Sequence, residues 1–185
     1  SFGGLVAYEL TQQLMRMGKK VKMLGILDTN ISNELYYDVH ASRISTKLKR
    51  QIPKLAFISK SFLINPKATF EYQKYAVSER VKSSIQKIKS PKPVIQKLTN
   101  EEIILEKITK AYHNYAIKPI QATVDLFRCK KRLYYIDDPI YLGWKKFSES
   151  VTVHEIDGDH ASFLFSPNDA FFAKTIQQVL NERNP

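Results

Sequence analysis

The stretch VKMLGILDT, residues 21–29, decides the fold. Its nearly unbroken apolar run, stopped by Asp28 and Thr29, fits a strand covered on both faces, as strands of parallel sheets are. Upstream, the apolar residues Phe2, Val6, Leu10, Leu14 and Met17 recur close to the 3.6-residue period and predict a helix packed on a core along that stripe. Gly18 is a natural stop for it, with Lys19 and Lys20 near the negative end of the helix dipole. A helix followed at once by a buried strand points to an α/β layered fold.

Downstream the character changes twice. Residues 30–118 read as a helical insertion: long basic and aromatic helical stretches, no convincing strand, and breaks at Pro53, Pro66, Pro91 and Pro93. Its last helix is expected to start at the capping box Thr99-x-x-Glu102 and to carry Ile104, Ile108, Ala111 and Tyr115 along one face. Residues 119–185 return to α/β patterning. Here ATVDLF (122–127) and VTVHEI (151–156) read as short strands joined through DDPIYLGWKKF. A final helix is predicted from about Ser166 and Pro167, with Asp169 in its first turn and Phe172, Ile176 and Val179 facing inward.

Charge and composition limit the classes of function. The 185 residues are 43% hydrophobic, enough for a sizeable core in one domain. Of the net charge of +11, residues 43–98 supply more than all, with fourteen Lys and Arg against Glu71 and Glu79, so the rest is about neutral. One cysteine and four histidines without zinc-like spacing predict neither a disulfide nor a structural metal, and a reducing, cytoplasmic setting is the simplest expectation. No apolar run approaches the roughly 20 residues that span a bilayer, so no membrane is expected as partner.

The chemistry is expected where polar residues interrupt the apolar pattern. Ser1-Phe2-Gly3 opens directly into a helix and matches the second half of a G-x-S-x-G nucleophile elbow. On its own that signal is weak, because Ser-x-Gly is frequent and serine is a common helix cap. Chain order strengthens it. Asp28 ends the following strand, and Gly158-Asp159-His160 follows the last one, which is the Ser, Asp, His order of α/β-hydrolases at the carboxyl ends of parallel strands. Of the other reactive side chains, Cys129 reads as a small buried hydrophobe, His154 as structural and Trp144 as an anchor between helix and sheet. The aromatics Phe57, Phe62, Phe70, Tyr72 and Tyr75 read mostly as packing between the inserted helices, some of them lining an apolar pocket.

In order, SFGGLVAYEL, LGILDT, VDLFRC, DPIYLGW and VTVHEIDGDHASFL, closed by a short helix, resemble the type I thioesterase domain that ends nonribosomal peptide and polyketide synthases. The similarity is strong in residues 1–29 and 112–182 and only topological between them. The resemblance implies the C-terminal half of an α/β-hydrolase sheet with a helical lid over residues 30–118. It implies Ser1 as nucleophile, Asp28 as the triad acid, His160 as the base and the backbone N–H of Phe2 as one oxyanion donor. It further implies an acyl or peptidyl carrier protein as partner, presenting substrate on phosphopantetheine, with no cofactor bound by the domain itself. The family has several strands before its serine and this chain begins at that residue, so the chain alone is expected to be nearly inactive; losing one oxyanion donor costs about 10² to 10³ in rate.

Two other readings compete. An N-terminal nucleophile hydrolase would use the α-amine of Ser1 as base, but those enzymes place the nucleophile at a strand, and Ser1 precedes a helix. A non-catalytic basic helical module for nucleic acid fits the pI of about 9.6, but no recognised nucleic-acid motif accompanies the charge.

Overall fold

The computed structural model describes residues 2–31, 43–89 and 99–183. Their elements run α1 (Phe2–Arg16), β1 (Leu24–Leu27), α2 (Arg43–Ile64), α3 (Pro66–Lys89), α4 (Asn100–Asn114), β2 (Ile120–Cys129), a short 3₁₀ turn (Trp144–Lys146), β3 (Ser148–Ile156) and α5 (Asp169–Arg183). The strands form one parallel sheet in the order β1-β2-β3, with Leu24 opposite Val124 and Val124 opposite Val151. The chain divides into two compact units, residues 1–50 with 116–185 and residues 51–115.

In the first unit the sheet is covered on one face by α5. Phe127, Cys129 and Ile156 of the strands pack with Phe163 and with Val179 of α5, flanked by Phe172 and Ile176. Removing a side chain such as Phe127 from water stabilises the fold by roughly 1.5–3 kcal/mol. By strand alternation Leu24, Ile26, Val124 and Leu126 occupy the opposite face, and all four are buried.

The helix α1 ends as its sequence requires. Gly18, at φ 72°, donates to the carbonyl of Met15, and Lys19 donates to that of Leu14, which together make a Schellman motif. The buried face of α1 differs from the apolar stripe read from sequence. Gly4, Leu5, Tyr8, Thr11 and Gln12 are buried, whereas Val6, Leu10 and Met17 are 52%, 55% and 69% exposed. The reason is backbone proximity combined with polar anchoring. A side chain on Gly4 would meet Thr29 Oγ1 at 2.3 Å, and the Tyr8 hydroxyl shares its one proton between the carbonyls of Lys118, at 2.8 Å, and Phe147. Trp144 completes this anchor: it is fully buried, its ring lies 5.2 Å from that of Tyr8, and Nε1 donates to the Thr29 carbonyl at 2.7 Å.

The described residues of the second unit, 51–115, are helical. Pro53 lies inside α2 and does not break it, contrary to the sequence expectation. It removes one backbone donor from a 22-residue helix, whose remaining bonds carry it through. Pro66 does begin a helix, with Asn65 accepting from the N–H of Ala68 at 3.4 Å. The Thr99–Glu102 capping box forms with both of its reciprocal bonds, and Tyr115 lies just past the helix it begins. Phe70 and Tyr75 are 60% and 65% exposed within the unit, so packing does not account for them as the sequence reading expected. Pro91 and Pro93 lie outside the described residues. No helix among the described residues is long and apolar enough to cross a membrane.

Candidate active site

Asp28 is the first residue past β1, and its backbone N–H continues the ladder by donating to Phe127 at 2.8 Å. Its φ of 43° lies in the left-handed region, where Asp and Asn are among the few non-glycine residues tolerated. That turn directs a 2% exposed carboxylate across the end of β2. Oδ1 accepts from the N–H of Cys129 at 3.0 Å and from Arg132 Nη2 at 2.6 Å, and Oδ2 lies 2.9 Å from His160 Nδ1.

His160 comes from the turn after β3, and each residue of its motif has a distinct job. Gly158 has φ 85°, and a side chain there would meet Asn168 Nδ2 at 2.7 Å. Asp159 Oδ1 accepts from the backbone N–H of Ala161 and Ser162 and from the Ser162 hydroxyl, a self-closed turn that holds the histidine in register. Ser162's hydroxyl and the turn amides together hold the Asp159 carboxyl below its usual range. The His160 side chain is 39% exposed, so an imidazole bonded through Nδ1 to a buried carboxylate still reaches solvent.

Two sequence-predicted residues, Asp28 and His160, thus converge although 132 positions apart. Phe2 is the first residue of α1, and Gly4 brings the start of that helix against Thr29, the neighbour of Asp28. Ser1 lies outside the described residues. Cys129 is buried beside Asp28. Burial, with the Asp28 charge adding and the Arg132 charge opposing, pushes its thiol up to about 12, which leaves it protonated and unreactive at neutral pH.

Sequence reasoning missed Arg132. It closes the basic run Lys130-Lys131-Arg132, and nothing in that run marks which member turns inward. It also missed that His154 has a buried partner. His154 Nε2 lies 3.0 Å from Asp125 Oδ1, and Arg183 at the end of α5 donates to both oxygens of Asp125 at 3.0 and 2.8 Å. Asp125 is 1% exposed, and this second acidic centre pins α5 to the middle of the sheet. Among the described residues no cluster of His, Cys, Asp and Glu could hold a metal ion.

No family model and no curated protein matches the chain. Among solved structures it is similar to the holo form of a four-domain nonribosomal peptide synthetase bound to AMP and glycine, with 20% identity, 96% of this chain and 14% of that one covered, and a TM-score of 0.54. It also matches the Vlm2 thioesterase domain, as the wild type (20% identity, 98% and 65% covered, TM-score 0.42) and in a form bound with a dodecadepsipeptide (19%, 93% and 63%, 0.43). The likeness is one of fold, and the chain spans less than two thirds of each of these proteins.

Proposed function

We propose that the chain is the C-terminal part of an α/β-hydrolase thioesterase that releases an acyl or peptidyl chain from a carrier-protein phosphopantetheine thioester. One observation carries the reading: a buried carboxylate and a part-exposed imidazole meet at 2.9 Å at the carboxyl rim of a parallel sheet, in the chain order that places a serine at residue 1. Fold likeness to a part of a multidomain peptide synthetase agrees with it.

Each step follows from the groups. Asp28 fixes the tautomer of His160 through Nδ1, leaving Nε2 to take the proton of the Ser1 hydroxyl. The Ser1 oxygen attacks the thioester carbonyl, and the oxyanion that forms accepts from the N–H of Phe2 at the positive end of α1. The tetrahedral adduct collapses to a serine ester and the phosphopantetheine thiol, protonated from His160. Water or a nucleophile within the acyl chain, deprotonated by the same imidazole, then releases the product as acid or macrocycle. Residues 30–118 act as the lid whose shape and exclusion of water choose between those outcomes. Their positive charge steers an acidic carrier domain, so the carrier's on-rate should fall as salt rises.

The test is labelling with a fluorophosphonate of the polypeptide as its gene encodes it. Wild type should label, whereas Ser1→Ala should not and His160→Ala should label at least about a hundredfold more slowly. Equal labelling of wild type and Ser1→Ala would reject the assignment.

A further inference from the structure

We infer that Arg132 is a positioning residue of this site: it holds the second oxygen of Asp28 and offsets part of that carboxylate's charge where it meets His160. The inference rests on the triad reading, since it assigns Arg132 a part in setting the basicity of that imidazole. It begins from an imbalance in the acid's partners. A buried carboxylate facing only a histidine and one backbone amide would favour the imidazolium strongly, and a charged imidazole cannot act as a base. Here Arg132, with its side chain 10% exposed, sits 2.6 Å from Oδ1, on the side of the carboxylate away from the His160 bond. The site therefore pairs one anion with one permanent cation, and the imidazole senses a dipole where it would otherwise sense a full negative charge.

The guanidinium is itself held. Nη1 lies 3.3 Å from the Tyr134 hydroxyl, and the cation lies 5.2 Å from the Tyr134 ring centre. Among the described residues the neighbouring charged and titratable groups are engaged elsewhere. Cys129 offers Asp28 a neutral thiol and its amide. Asp159, beside His160, spends its carboxylate on its own turn and is the group that Lys131 acts on. Lys130 pairs with Asp157 at 2.7 Å. Among the described residues Arg132 is the cation that touches the Asp28 carboxylate.

Removing the guanidinium charge leaves the Asp28 anion unbalanced, and an unbalanced anion favours a protonated imidazole beside it. The experiment follows His160 by NMR in isotope-labelled histidine, identified by its loss in His160→Gln, together with the pH profile of fluorophosphonate labelling. In Arg132→Gln the histidine signal should titrate at higher pH than in wild type, so that labelling slows at the acid end of the profile and recovers at the alkaline end. Arg132→Lys, which keeps the charge, should stay within a few tenths of a unit of wild type. A purely structural arginine would instead slow labelling equally at every pH with the titration unmoved, and that result overturns the inference. If Arg132→Gln lacks the wild-type thermal transition, Arg132→Lys decides, because a clear upward shift with the charge retained also overturns it. Absence of serine labelling in wild type would reject the thioesterase reading, while the histidine titration would still judge the electrostatic role of Arg132.

Discussion

Gly3 and Gly4 stand side by side and carry opposite expectations. A side chain at Gly3 meets nothing within 4 Å, while one at Gly4 meets Thr29 Oγ1 at 2.3 Å and Thr29 Cβ at 2.8 Å. Gly3→Ala should therefore stabilise the protein by about 0.5–1 kcal/mol through helix entropy. Gly4→Ala should destabilise it by about 1–3 kcal/mol, since helix and loop must move apart; urea unfolding of the two variants checks both signs. Asp159 makes a pH prediction. A carboxyl held below its usual range stabilises the folded state above the unfolded pKa of about 4 and loses that contribution as pH falls through the lower folded value. Asp159→Asn should thus lower the thermal midpoint at pH 7, with the gap to wild type closing in calorimetry as the pH falls below the unfolded pKa of about 4 and through the lower folded value. At this scale the site was half legible. Asp28 and His160 interrupt strong apolar patterns at strand ends, where ligand sites collect, so position alone drew attention to them. Arg132 could not be singled out, because a basic residue in a basic run carries no mark of burial until the neighbouring loop is folded.

Among elements, the three strands and their order along the chain were readable from apolar runs, and α5 from its inward Phe172, Ile176 and Val179. The face of α1 was not readable by counting hydrophobic residues, because a glycine, a threonine and a glutamine line its buried side. Gln12 Nε2, for example, reaches the Lys118 carbonyl at 3.4 Å, a long-range contact that no local periodicity encodes. Pro53 shows the reverse error, in which a strong local signal yields to the remaining bonds of a long helix. The end of α1, by contrast, is a local matter and was read correctly. Gly18→Ala, forced to φ 72°, should cost about 1–2 kcal/mol, and Gly18→Asn less, as thermal or urea unfolding would show. The clamp at the other helix is equally specific. Arg183→Met should free the last turn of α5 and speed its amide hydrogen exchange, leaving the exchange of α1 unchanged.

For the molecule as a whole, Tyr8 links regions more than a hundred residues apart through the carbonyls of Lys118 and Phe147. Burial pushes its hydroxyl up to about 12. A raised folded value means that stability is fully present below the unfolded pKa of about 10 and is lost as pH climbs from there through the folded value. Cys129, likewise pushed up to about 12, erodes stability over an overlapping range. Tyr8→Phe should accordingly be less stable than wild type at pH 7 and show a shallower alkaline decline, measured as unfolding midpoints between pH 8 and about 12. The pairing of Leu24 with Val124, and of Val124 with Val151, has a further consequence in time. A ribosome adding about 5–20 residues per second completes β2 roughly 5–20 s after β1, and the β1-β2-β3 order is assembled only once β3 has also emerged. The helices between them, built on local contacts, need no such delay and are free to form first, whereas the β1–β2 pairing has to close over all of the intervening chain.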